Sequence, residues 1–191
     1  MSNVENIYDL EEVKEAQNLK FIFISSGTQD VVKAIQYSYL LQLNNLNLQQ
    51  LNGKDVYNLG FGDYNLENDT LIDTVNTNNG DVYKVFNTVL STVPNFFENY
   101  TNSILIVQGS DSSRDFIEQC KQTCKKGCGE KCKKSNRRIN IYKNFVNKNY
   151  EQLILDYQFI GGLKDSNNQI VLEEYIKYKD YDSVLLLKII I

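Results

Sequence analysis

The sequence predicts an α+β domain, a single mixed and mainly antiparallel sheet with helices packed on it, in the order βββ-α-β-α-α-ββ. Three observations carry the prediction. Two apolar, β-rich runs near the N-terminus flank turn chemistry. Apolar residues recur at helical spacing from 82 to 100. Between that helix and the next lies SILIV (103–107), wholly apolar and so fit for a strand covered on both faces.

Taken in order, LKFIFISS (19–26) is the first strand and VVKAIQYSYLL (31–41) its hairpin partner, joined by Gly27-Thr28-Gln29-Asp30. The Asn- and Gln-rich stretch 44–52 is expected to be a surface loop. KDVYNLGF (54–61) is a third strand ending in Gly62-Asp63, and a polar stretch, 64–79, leads to the clearest helix. Asp81 can cap that helix, with Val82, Phe86, Val89 and Val93 as its expected core face. Pro94, the single proline, should kink or tighten its last turns. After SILIV, Gly109-Ser110 turns into a helix from about Ser112, where Ser112 and Asp115 can form a capping box. A helical pattern resumes at 140–157 with Ile141, Phe145, Tyr150, Leu153 and Ile154 as its apolar face, and Gly161-Gly162 should stop it. Residues 170–178 and 183–191 then read as a closing hairpin. No Pro/Gly/Ser linker divides the 191 residues, so one domain is expected, with a Cys/Lys-rich insertion at about 121–140.

Histidine is absent, which excludes Ser-His-Asp and Cys-His catalysis and any histidine metal ligand. Acid–base work near neutral pH would fall to Asp, Glu, Lys, Tyr or Cys. The acidic N-terminus lacks the apolar core of a secretory signal, and no apolar run is long enough to span a membrane. A cytoplasmic protein without membrane contact is expected.

The net charge of −4 is unevenly spread. From Glu118 to Arg138, eight basic residues (Lys121, Lys125, Lys126, Lys131, Lys133, Lys134, Arg137, Arg138) face two glutamates, a local charge of +6 that leaves −10 for the rest. Such asymmetry suits an anionic partner, nucleic acid or acidic protein, although a solvated basic loop has the same composition and is the simpler reading. The aromatic residues that base stacking would use are missing between Cys120 and Ile141.

The four cysteines of the chain, Cys120, Cys124, Cys128 and Cys132, all lie in this segment at uniform spacing. On an unbroken helix they would spread along a stripe about 18 Å long, too far for one tetrahedral ion. Gly127 and Gly129 can reverse the chain between the two pairs. The leading reading is a structural Zn²⁺ held by four thiolates, with the neighbouring lysines favouring the ionised form. The even spacing does not match the paired knuckles of common zinc sites. Redox-active or disulfide cysteines and an exposed basic loop therefore remain as alternatives.

GSDSSR (109–114) sets small hydroxyl residues and an arginine where a strand turns into a helix. Ser110, Ser112, Ser113 and Arg114 could bind a phosphate or carboxylate there, while the plainer reading is helix capping. Asp63, Asp81 and Asp111 offer a second function, a metal-dependent hydrolase or nuclease. The βββαβα order is that of a ribonuclease H-like sheet, whose chemistry wants a carboxylate within the first strand, and FIFISS has none.

Four segments in order, YNLGFGD (57–63), NTNNGD (76–81) with KVFNTVLSTVPNFF behind it, GSDSSR (109–114) and FIGG (159–162), resemble a family of short bacterial proteins of unknown function. FIFISSG and VVKAIQYS fit the start of that family as well. The resemblance implies the fold but no activity, and it marks the Cys/Lys segment as an addition to the shared domain. The leading function is thus a non-catalytic binding or accessory domain whose basic, cysteine-rich insertion meets an anionic partner.

Overall fold

The structure, a computed structural model, describes residues 6–14, 18–40, 51, 54–73, 79–109, 111, 114–123, 128, 132, 135–165, 167 and 169–189. The chain divides into two compact units, Met1–Leu40 with Tyr57–Ser103, and Leu41–Val56 with Ile104–Ile191. Its strands belong to one nine-stranded mixed sheet, mostly antiparallel, with helices packed on it, so the predicted α+β class holds.

The first unit begins with β1 (Glu11–Lys14), β2 (Asn18–Ser25) and β3 (Val31–Tyr39), followed by β4 (Asp55–Asn65), whose first two residues fall to the second unit, and β5 (Thr70–Ile72). Each of the first four pairs antiparallel with the next, and β5 pairs with β4. The register sets Phe21 opposite Ile35, and Ile35 opposite Phe61. With a period of two, Leu19, Phe21, Phe23, Ile35, Tyr37 and Leu59 share one face, and all are buried. Against this face pack α1 (Val82–Ser91) and α2 (Val93–Asn99). The Phe96 ring stacks on Tyr37 at 4.6 Å and meets Tyr57 edge-on at 5.4 Å. Thr92 Oγ1 donates to the Val89 carbonyl at 2.7 Å, so in its 2.7 Å bond with Tyr37 it accepts the tyrosine's proton. The two helices part at Thr92, and Pro94 occupies the first turn of α2, where a missing N–H is harmless.

Several expectations for this unit are corrected. The polar stretch after Asp63 contains the end of β4 and the whole of β5. Asp81 sits at the start of α1 without capping it by its side chain. The buried face of α1 is Val85, Thr88 and Val89, whereas Val82 is exposed and Phe86 half-buried. Asn79 shows what the NTNNGD segment does: its amide donates to the carbonyls of Ser25 (3.2 Å) and Gln29 (2.9 Å), bracing the β2–β3 turn. A Cβ on Gly27 would collide with Asn79, so that turn needs the glycine. The stretch 44–52 lies outside the described residues except for Leu51, which is buried.

The second unit holds β6 (Ser103–Gln108), whose first residue falls to the first unit, α3 (Arg114–Thr123), α4 (Arg137–Leu153), β7 (Tyr157–Lys164), β8 (Ile170–Glu174) and β9 (Ser183–Lys188). Its strand order is β6-β9-β7-β8, antiparallel throughout. Ile104, Leu105, Ile106 and Val107 of β6 are all buried, as a strand covered on both faces requires. Ile139 and Val146 of α4 pack with Phe159, Tyr175, Tyr181 and Val184.

The predicted closing hairpin is not formed, because β7 lies between β8 and β9 and pairs with both. The glycines expected to stop a helix sit inside β7 instead, and α4 ends at Leu153. A Cβ at Gly161 would strike the Tyr181 ring, and one at Gly162 would strike Ser183 Oγ. The FIGG segment thus keeps a strand bare so that Tyr181 can lie across it. Ile141, placed on the apolar face of α4 by its spacing, is exposed, and Ile139 and Val146 take the core positions.

Candidate metal centre

Helix α3 carries Cys120, its penultimate turn fixing the first thiol, and the chain returns towards α4 through Cys128 and Cys132. The three sulfur atoms lie within 4.8 Å of one another. Cys120 and Cys132 are buried and Cys128 half-buried. Ligands about 2.3 Å from a tetrahedral Zn²⁺ stand roughly 3.8 Å apart, so a small inward shift would suffice for coordination. Among the described residues these three form the one group of possible metal ligands; no trio of carboxylates gathers. Cys124, together with Gly127 and Gly129, lies outside the described residues.

From Cys132 a short turn leads into α4. Ser135 donates to the Cys132 carbonyl from its backbone N (3.3 Å) and from its hydroxyl (2.9 Å). Asn136 follows in the left-handed conformation at φ 59°, which asparagine tolerates better than most residues, and makes no side-chain cap. The cap comes from far away in sequence. Asp111 Oδ2 accepts the backbone N–H groups of Arg137 (2.8 Å) and Arg138 (3.1 Å), and the Asp111 carbonyl accepts that of Asn136 (3.3 Å). A carboxylate there satisfies open donors and lies at the favourable end of the helix dipole. Asp111 is buried, and among the described residues its Oδ1 has no hydrogen-bond partner. Sequence reasoning named Asp111 as a reacting carboxylate and missed this role, since a cap 26 residues from its helix leaves no local signal.

The other sequence-predicted residues are distributed as follows. Lys121 and Arg137 are exposed and Arg138 is half-buried; Lys125, Lys126, Lys131, Lys133 and Lys134 lie outside the described residues. So do Ser110, Ser112 and Ser113 of the suggested anion site, where Gly109 is buried and Arg114 opens α3. In the first unit Asp63 pairs with the buried Lys33 at 2.5 Å. Asp81 Oδ2 accepts the hydroxyls of Ser25 (2.6 Å) and Tyr8 (2.8 Å). Burial pushes the Asp81 carboxyl up, but these two bonds and the nearby Lys33 outweigh it and hold its pKa below the ordinary value. Among the described residues no helix is long and apolar enough to cross a membrane.

No curated protein and no solved structure matches the chain. One family model does, over residues 4–119. The matched stretch takes in YNLGFGD, NTNNGD and GSDSSR and ends at Gln119, leaving the cysteines, the basic cluster and FIGG outside it. With more than half of its length matched, the chain belongs to the family of unknown function DUF6934.

Proposed function

We propose that this protein is a non-catalytic binding or accessory domain whose cysteine segment holds a structural Zn²⁺ and presents a basic surface to an anionic partner such as nucleic acid. The observation that supports it is the gathering of the Cys120, Cys128 and Cys132 sulfurs within 4.8 Å, in a segment of local charge +6. Cys124, in the same segment, is the natural fourth ligand. A Zn²⁺ with four thiolates carries a charge of about −2, and the surrounding lysines and arginines would offset it and favour thiolate over thiol. The metal would order the segment without chemistry of its own, and the remaining positive charge would face phosphates.

Binding of the zinc-loaded protein to single- and double-stranded nucleic acids of mixed sequence, measured across a salt series, tests this reading. Affinity should fall steeply with salt, and the pair Lys121→Glu with Arg137→Glu should weaken it at least tenfold and shallow the salt slope by about two. Binding that ignores salt and both substitutions would overturn it. Mg²⁺- or Mn²⁺-dependent cleavage of the same substrates, abolished by Asp63→Asn, would replace it with the hydrolase reading through Asp63, Asp81 and Asp111.

A further inference from the structure

Asp111 stands where both ends of the cysteine segment can be referenced to one point. Three positions after it, α3 begins, and α3 carries Cys120. Across 26 and 27 residues of chain, its Oδ2 holds the first N–H groups of α4, and its carbonyl holds Asn136. From Asn136 the chain runs back one tight turn, through the two Ser135 bonds, to Cys132. The stretch from α3 to the start of α4, which carries the cysteines, is therefore held at its base by a buried carboxylate.

We infer that Asp111 is a positioning residue for the cysteine site: it clasps the base of the segment so that Cys120 and Cys132 meet before any ion arrives. The inference rests on the proposed metal site, yet its physical content is the approach of the thiols, which can be read without metal. Closing a loop costs conformational entropy, and a closure already made in the folded protein need not be made again on binding. With the clasp open, the ion would itself have to draw the ends together, and its apparent affinity would drop. Both α4 N–H groups bond the one oxygen Oδ2, so asparagine can supply the acceptor in its place. Alanine cannot.

Three variants separate this role from simple stabilisation. Asp111→Ala removes the clasp and Asp111→Asn keeps its acceptor. Asn147→Ala loosens α4 elsewhere, because Asn147 Oδ1 accepts from Tyr175 Oη (3.0 Å) and from the Tyr178 N–H (3.1 Å). Zinc affinity is measured by competition with a chromophoric chelator. On metal-free protein, the rate of Cys120–Cys132 crosslinking by a short bis-maleimide is followed by peptide mass. Asp111→Ala should bind zinc some 10–100-fold more weakly, as loss of a supporting partner does at metal sites, and should crosslink about tenfold more slowly. Asp111→Asn should recover most of both, and Asn147→Ala should change neither. Unaltered crosslinking in Asp111→Ala, or an equal loss in Asn147→Ala, overturns the inference. If the unsubstituted protein takes up no zinc but Asp111→Ala still slows crosslinking, the clasp stands and the metal reading falls.

Discussion

In the first unit, rings fill the space between sheet and helices: the fully buried Phe96 packs on Tyr37 and Tyr57, the fully buried Phe97 meets Phe96 edge-on, and Tyr37 bonds Thr92 in their midst. In the second unit, Tyr175 and Tyr181 stand beside Phe159 in the core, and their hydroxyls tie separate pieces of chain together. Tyr175 Oη donates to Asn147 of α4, and Tyr181 Oη donates to Glu173 at 2.8 Å while accepting the Ile176 N–H at 3.0 Å. The same contrast recurs at the helix starts: Asp81 adjoins α1 but turns its carboxylate to Ser25 and Tyr8, while the distant Asp111 caps α4. Both units are crossed by bonds between remote residues; in the first they come chiefly from Asp81 and Asn79 beside the aromatic core, and in the second they come from the core tyrosine Tyr175 and from Asp111.

The largest effect expected from this contrast is in the first unit. Phe96→Ala should cost about 3–5 kcal/mol in chemical denaturation, because a fully buried ring would leave a cavity. Phe86→Ala, at a half-buried position, should cost clearly less than half of that. Equal losses would mean that α1 packs through Phe86 after all.

Tyr181→Phe should cost about 1–3 kcal/mol, since it keeps the ring but leaves the Ile176 N–H and Glu173 short of a partner. Burial pushes the hydroxyls of Tyr175 and Tyr181 up to about 12. Their ordinary value is 10.0, so the contribution of each is fully present below pH 10 and is lost as pH rises from there towards 12. Absorbance titration should show these two tyrosines, with Tyr142, whose hydroxyl burial also pushes up to about 12, ionising late, and Tyr181→Phe should flatten the alkaline fall in stability. An unchanged alkaline limb would place the group outside the core.

The smallest effect is at Asp81, whose pKa is held below the ordinary 3.8. A carboxylate with a depressed pKa adds stability that is present above about pH 4 and lost as pH falls through its folded value. Asp81→Asn should therefore lower stability slightly at neutral pH and make the acid limb shallower. A limb of unaltered steepness would show that other carboxylates carry it.

The same division explains what could be read from the sequence. The β2–β3 hairpin, β6 and the break before Pro94 follow from period-two runs, turn residues and proline chemistry, all of which act within a few residues. The pairing of β7 with both β8 and β9 does not, because Gly161-Gly162 resembles a helix stop unless Tyr181 is known to lie over it. The core face of α1 keeps the expected Val89 but takes Val85 and Thr88 in place of Val82 and Phe86, a rotation of the helix that apolar spacing alone leaves open when both faces carry apolar residues. At the candidate site the structure gathers three of the four cysteines that the sequence singled out, Cys120, Cys128 and Cys132. The clasp at Asp111 depends on a fold that brings residue 111 to the start of α4, and no local pattern records that.

The central claim, that the cysteine segment is a metal centre, is tested most directly by elemental analysis of protein purified without chelators. Close to one zinc per chain is predicted, lost in Cys124→Ser and in Cys132→Ser while the far-ultraviolet circular dichroism of the domain is retained. A metal-free preparation whose four thiols all react rapidly with a modifying reagent, in a segment readily cut by protease, would contradict it and leave a basic loop acting by charge alone.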